Sequence, residues 1–139
     1  MTARQSTGSQ ILSPVGWARA IGYANGVVAS GRHIVLAGQI GWNPATATIE
    51  SDDFVGQVRQ TLQNIVTLLR EAGAEPRHLV RLTWFVTDKR AYLAARRDMG
   101  AVYRDVIGAH YPAMSVVFVS ELLEDRAQVE IEATAVVPT

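Results

Sequence analysis

Apolar and polar positions in the first third of the chain follow a pattern typical of strands. Two short apolar stretches, Ile21 to Ser30 and His33 to Ile40, are separated by a Gly-Arg pair, which predicts two strands joined by a tight turn. An Asn43-Pro44 turn then marks the end of the second strand. The pattern therefore predicts a β-hairpin and leaves Trp42 at the end of a strand.

Helical periodicity begins after this hairpin. From Asp52 to Ala72, apolar residues recur at spacings of three and four positions, which predicts an amphipathic helix. These residues are Val55, Val58, Leu62, Ile65 and Leu69. Ser51 or Asp52 suits the N-cap, where a side-chain oxygen accepts from a free backbone N–H. Gly73 suits the C-terminal end, because glycine adopts the left-handed conformation without a steric cost.

A second helix is predicted between Asp88, which suits an N-cap, and Gly108, which suits a C-terminal stop. Its apolar stripe consists of Tyr92, Met99, Val102, Tyr103 and Val106. The strand Leu79 to Thr87 separates the two predicted helices, and it is rich in β-branched and aromatic residues.

Two further strands, Met114 to Val119 and Val129 to Val137, complete the predicted order. The predicted order is strand, strand, helix, strand, helix, strand, strand. This order indicates an α+β fold with one mixed sheet and two helices on one face. The Met114 to Val119 segment is apolar on both sides, which is typical of a sheet with neither face in water. The uncovered face is therefore predicted to meet another subunit of a homo-oligomer.

Composition narrows the class of protein. The chain has 139 residues, 48% of them hydrophobic, which suits one domain with a buried core. Thirteen basic residues balance thirteen acidic ones, so no global field favours nucleic acid as a partner. We expect residues 1–12 to be a flexible segment and residues 13–139 to be one domain. Without a secretory pattern or a long apolar run, we expect a cytoplasmic protein without a membrane partner.

The chain also lacks several sets of chemical groups. It contains no cysteine, which excludes disulfides and thiolate metal sites. His33, His78 and His110 are scattered and do not have the spacing of a metal site, so we predict no metal. Nucleophile-elbow and phosphate-loop motifs are also missing.

Several short segments, in order and with suitable spacing, resemble one known family. The segments are Gly22 to Val27, Ala37 to Ile40, Asn64 with Ala72-Gly73, Tyr111 to Ser115, and Val129 to Ala133. Together they resemble the RidA/YjgF family of reactive-intermediate deaminases, also labelled endoribonuclease L-PSP. The resemblance extends from about Gly16 to the end of the chain.

The resemblance implies a chorismate-mutase-like fold and a homotrimer with three clefts between neighbouring subunits. Family members of known activity hydrolyse 2-aminoacrylate and related imines or enamines to a keto acid and ammonia. They do so without a metal or an organic cofactor, so we expect no cofactor here. The ligand implied is a small molecule.

At one position the chain departs from the family pattern. The family's Pro-Ala-Arg-Ser reads Pro112-Ala113-Met114-Ser115 here. A guanidinium pairs with a carboxylate through two charge-assisted hydrogen bonds, whereas a thioether has neither charge nor donor. Losing such a pair costs about 2–5 kcal/mol of binding. The resemblance therefore implies a substrate that presents no carboxylate to position 114.

The resemblance also assigns roles to individual residues. Glu130 matches the glutamate that positions the attacking water, and Tyr23 is the candidate for proton exchange. The implied substrate-binding residues are Gly38, Ala37, Trp42, Tyr111, Met114 and Ser115. Ala37 stands where the family commonly has serine, and the stretch Arg90 to Gly100 does not supply the family's asparagine in a recognisable way.

Alternatives remain open at each of these positions. Glu130 and Glu132 are two residues apart and also fit the polar face of an ordinary strand. Met114 also fits core packing. His110, or Arg96 and Arg97 from a neighbouring subunit, could replace the missing charge, but a capping or surface role for His110 and a solvated helix face for the arginines are the favoured explanations. For the whole protein, the alternative to an enzyme is a non-catalytic trimeric protein that binds or senses a small molecule.

Overall fold

The computed structural model describes residues 9–139 of the chain. The strands are β1 Ser9–Leu12, β2 Gly26–Ala29, β3 Arg32–Ile40, β4 Trp42–Asn43, β5 Thr48–Ile49, β6 Leu79–Val86, β7 Ala113–Phe118 and β8 Val129–Val137. The α-helices are α1 Phe54–Glu71, α2 Lys89–Ala94 and α3 Arg96–Val106. A short 3₁₀ turn, Pro76–His78, leads into β6.

The main sheet has the strand order β3-β8-β6-β7. β8 is antiparallel to both of its neighbours, and β7 is parallel to β6. The helices pack on one face, where buried residues of α1 and α3 share a core with alternate residues of the strands. The predictions of an α+β fold, a mixed sheet and helices on one face are therefore confirmed.

Helix α1 follows its predicted apolar stripe closely. Val58, Leu62, Ile65 and Leu69 are completely buried, and burying each such side chain contributes about 1.5–3 kcal/mol. The N-cap is Asp53, whose carboxylate accepts from the Gly56 N–H at 2.8 Å. The cap thus lies one residue after the predicted pair.

The predicted hairpin between β2 and β3 is wrong, although both strands exist. β2 pairs instead with β1, and β3 pairs with β8. At Gly31 the backbone has φ +148°, and a Cβ there would lie 2.1 Å from the carbonyl oxygen of Val137. The chain therefore passes against the end of β8 at Gly31, and β3 continues along β8 rather than folding back on β2.

Strand β1 lies in the segment that we expected to be flexible. Ser9–Leu12 pairs with Gly26–Ala29 in an antiparallel ribbon, so the end of that segment is part of the fold. Residues 1–8 lie outside the described residues.

The second predicted helix is divided in two. Asp88 caps α2 as predicted, accepting from the N–H groups of Arg90 at 2.9 Å and Ala91 at 3.0 Å. The Ala95 N–H is shared between the carbonyls of Ala91 and Tyr92, which tightens the last turn and separates α2 from α3. No proline or glycine in the sequence marks this break.

The opposite face of the main sheet is not covered by any helix of residues 9–139. It carries apolar side chains, including Val35 at 79% exposure and Val117 at 43%, beside Phe85 and the two glutamates of β8. An apolar sheet face in water is unfavourable, so the prediction of a partner subunit on this face retains its physical basis.

A buried amide joins α1 to the chain before β8. The Gln57 side chain is fully buried and donates to the carbonyls of Ser51 at 2.9 Å and Arg126 at 3.0 Å. Its oxygen accepts from the Gln128 N–H at 2.9 Å. The apolar pattern of the helix did not single out Gln57 as a buried residue, because other glutamines of the same helix lie outside the apolar stripe.

No helix of residues 9–139 is long and apolar enough to cross a bilayer.

Candidate functional site

The main cleft lies beside the edge strand β7 and has a volume of about 720 Å³. Met114 lines it, because position 114 is level with Leu82 of the parallel neighbour β6 and points to the same, helix-bearing face. Tyr111 and Tyr23 also line the cleft. The structure therefore brings three of the predicted site residues together, and it places half-buried Met114 in a cleft wall that borders the core.

Aromatic residues form one wall of this cleft. The rings of Tyr103 and Tyr111 stack with their centroids 5.3 Å apart. The Tyr103 hydroxyl donates to the carbonyl of His110 at 2.5 Å, and burial raises the pKa of Tyr103 well above its usual range. Tyr103 thus stays protonated and holds the wall in place, with Tyr111 stacked on it.

Basic residues form the rim. Arg19, Arg96 and Arg104 line the cleft, and none of them is paired with a carboxylate within residues 9–139. The ion pairs of that part of the chain use Arg59, Arg77 and Arg126, and residues 1–8 contain no Asp or Glu. The cleft is therefore positively charged although its wall carries methionine at position 114.

A smaller cavity of about 160 Å³ lies at the start of β7 and is shared by Tyr23, Met114 and Ser115. Ala24 fixes Tyr23 at this place, because the Ala24 N–H donates to the carbonyl of Pro112 at 3.0 Å and Ala24 forms a parallel bridge with Ala113. Tyr23 thus stands between the two cavities, 44% exposed.

Glu130 lies elsewhere, on the uncovered face of the sheet. It is half-buried on β8, between Ile40 of β3 and Phe85 of β6. Gly38 lies directly against it, since a Cβ at Gly38 would be 2.7 Å from the Glu130 carboxyl carbon. The Glu130 carboxylate has no hydrogen-bond or ion-pair partner in the described part of the chain. Ala37 precedes Gly38 and is exposed.

Asn64 fixes the chain next to this second centre. Its amide donates to the carbonyls of Ile40 at 3.2 Å and Trp42 at 3.0 Å. Trp42 lines a third, shallow pocket with Arg126, and its buried indole nitrogen has no acceptor within residues 9–139. The structure therefore places Trp42 apart from Met114.

A single chain does not bring Glu130 and Tyr23 together. The Tyr23 segment bridges to Ala113, which is level with Arg81, whereas Glu130 is level with Phe85, four positions further along β6. Neighbouring strands are about 4.8 Å apart and rise about 3.3 Å per residue, and the Tyr23 segment lies three strand spacings from β8, so the two sites are separated by roughly 20 Å. The pairing of these residues in one site stays a prediction that depends on a neighbouring subunit.

The remaining candidates for a replacement charge differ in position. His110 does not line the cleft, and its Nε2 is 2.8 Å from the carbonyl oxygen of Leu79. Arg97 is exposed and lies outside the cleft lining, while Arg96 lines it. Sequence reasoning missed Arg19 and Arg104, although Arg96 and Arg104 are eight positions apart and fall on one side of a helix.

Comparison with known proteins agrees with this architecture. The endoribonuclease L-PSP family model matches residues 17–137. A RutC family protein of Haemophilus influenzae is 34% identical over 106 residues, covering 76% of this chain and 80% of the relative. The 2-iminobutanoate/2-iminopropanoate deaminase of Escherichia coli K12 is 36% identical over 106 residues, with coverage of 76% and 80%.

Among solved structures, the conserved Rid family protein YyfB of Yersinia pestis, described as of unknown function, is similar with a TM-score of 0.81 and 34% identity. The match covers 94% of this chain and 99% of that one. The fold and the matched length define a small α+β protein of the Rid class. The chain belongs to the endoribonuclease L-PSP family, which contains the RidA/YjgF proteins.

Proposed function

We propose that the protein is a cytoplasmic, cofactor-independent hydrolase that cleaves the C=N bond of a small imine or its enamine tautomer. Water adds to the imine carbon, and the resulting carbinolamine releases ammonia and leaves a carbonyl compound. The observation that carries the proposal is the half-buried Glu130 carboxylate, which faces the open side of the sheet against Gly38 without a partner in residues 9–139. Such a group suits the orientation and deprotonation of water.

The proposed active unit is a homotrimer with a chorismate-mutase-like arrangement. Glu130 and Tyr23 are too far apart to act together in one chain, so the proposal places the Glu130 centre of one subunit opposite the Met114 cleft of its neighbour. The uncovered apolar sheet face supports this assembly.

We expect light scattering in dilute solution to give three times the 15.1 kDa mass of the chain. A folded monomer would contradict the assembly and would remove the shared site, because its two halves would stay about 20 Å apart.

An ammonia-release screen tests the activity. Imines with and without an α-carboxylate are generated in the assay, and ammonia is measured as each is consumed. We expect turnover of imines that present no carboxylate to position 114. Turnover of neither kind would favour the alternative, a non-catalytic trimeric protein that binds a small molecule. The observation in favour of that alternative is Met114 itself, which offers no charge to a bound acid.

Met114→Arg tests whether this side chain lines a ligand cleft. We expect the variant to bind small carboxylates such as pyruvate at least about tenfold more tightly than the wild type, because a charge-assisted hydrogen bond contributes about 1.5–3 kcal/mol. Met114 borders open space, so the longer head group reaches water and the fold is kept. Calorimetric titration and a melting curve measure the two effects.

Met114→Leu is the matched control, since it keeps the volume and adds no charge. It should leave pyruvate binding unchanged. A folded Met114→Arg variant with no gain in affinity would argue against the cleft role, and a collapsed variant would assign Met114 to the core.

A further inference from the structure

Helix α3 presents a basic stripe to the main cleft. Arg96, Gly100 and Arg104 are spaced four residues apart, so they lie on one side of the helix, and all three line the cleft. Arg97 is next to Arg96 in sequence but lies outside the lining. The helix therefore directs two guanidinium groups, and not its basic residues in general, towards the cavity.

Gly100 shapes the middle of this stripe. Glycine inside a helix costs about 0.5–1 kcal/mol relative to alanine. A Cβ at this position would lie 3.4 Å from Nη1 of Arg104, so the Arg104 guanidinium lies beside Gly100. The missing side chain leaves room in the cleft between the positions of Arg96 and Arg104, which both line it.

The wall beside the stripe is flat and apolar. It consists of the stacked pair Tyr103 and Tyr111, with Met114 beside it. A thioether interacts favourably with aromatic rings, and aromatic side chains stack on flat ligands. With about 720 Å³ of space, the cleft is within the usual size range of small-molecule pockets and is larger than a three-carbon acid needs.

We propose that this cleft binds an aromatic or similarly flat organic anion, with the acidic group held by Arg96 and Arg104 and the flat body against Tyr111 and Met114. The inference rests on the proposed function in one respect only: the substrate of the proposed reaction is placed in this same cleft. It moves the acid-binding group from strand position 114 to helix α3, so the acid group of the ligand lies away from the strand.

Three probe molecules distinguish the contribution of the ligand's negative charge to binding from the contribution of its flat ring. Phenylacetate carries the ring and the acid, phenylacetamide is its neutral isostere, and acetate carries the acid alone. We expect the wild-type protein to bind phenylacetate more tightly than either of the others in calorimetric or NMR titrations. Arg96→Gln should weaken phenylacetate binding about tenfold, the effect of one charge-assisted hydrogen bond in an open cleft, and should leave phenylacetamide unaffected.

Arg97→Gln is the matched control, because it removes the same charge from the same helix end without touching the cleft. It should leave phenylacetate binding within about twofold of the wild type, as expected for a screened surface charge. Gly100→Leu fills the cleft without changing charge and should weaken phenylacetate and phenylacetamide alike. A melting curve for each variant confirms that the fold is kept.

The proposal is overturned by any of three results. These are equal affinity for phenylacetate and phenylacetamide, an equal loss in Arg97→Gln and Arg96→Gln, or no saturable phenylacetate binding up to millimolar concentrations. Phenylacetate binding that depends on Arg96, in a protein that hydrolyses no imine, would keep this site and remove the proposed function. If the protein hydrolyses imines at a rate that Arg96→Gln does not change, and does not prefer phenylacetate among the three probes, the proposed function stands and this site is removed.

Discussion

Glu130→Gln should lower kcat/KM for imine hydrolysis by about 10²- to 10⁴-fold, the range by which a positioned general base accelerates a reaction. Glutamine keeps the size and hydrogen-bonding reach of the side chain but cannot take a proton from water. The melting temperature should change little, because the carboxylate has no partner within residues 9–139 whose loss would destabilise the fold. Ammonia release from the imine that the screen identifies measures the effect.

Glu132→Gln is the control for this experiment. Glu132 lies two positions along the same strand, on the same face and exposed, so its change removes the same charge from the sheet. We expect it to keep activity within a few-fold. If both variants lose activity equally, the two glutamates form an ordinary polar face, and if Glu130→Gln stays active the assignment of the base is wrong.

Gly38→Ala offers a second approach to the same group. The added methyl would lie 2.7 Å from the Glu130 carboxyl carbon, so the carboxylate must move to accommodate it. We expect activity to fall while β3 and β8 remain paired, because a half-buried side chain gives way more readily than a strand. Unchanged activity would mean that the position of the carboxylate does not matter to the reaction.

Gln57→Leu should destabilise the protein by about 3 kcal/mol or more. It would leave the carbonyls of Ser51 and Arg126 and the N–H of Gln128 without the partner that the buried amide provides. Each buried polar group left unpaired costs about 1–3 kcal/mol, and the burial of leucine offsets part of the total. Urea unfolding measures the loss of stability.

Gln63→Leu is the matched control for that change, since Gln63 lies on the same helix and is exposed. We expect its stability to remain within about 0.5 kcal/mol of the wild type. If Gln57→Leu is no more harmful than Gln63→Leu, the three hydrogen bonds of the amide add little to the fold.

Local patterns in the sequence determined much of the fold. The stripe of α1, the cap of α2 at Asp88, and the strands β6, β7 and β8 follow from periodicity and capping residues, which act over a few neighbouring positions. The ordered motifs were enough to identify the family that the matched residues 17–137 confirm. They also predict that Met114 is the place where this chain departs from the family pattern, and this stays a prediction.

Tertiary structure decided what joins distant parts of the chain. The pairing of β2 with β1, the bonds of Gln57 to Arg126 and Gln128, and the convergence of Arg19 with α3 carry no local signal. Periodicity reports which face of an element is buried, but not which element covers it. The separation of Glu130 from Tyr23 is likewise a consequence of strand order, which is set by the packing of the whole sheet.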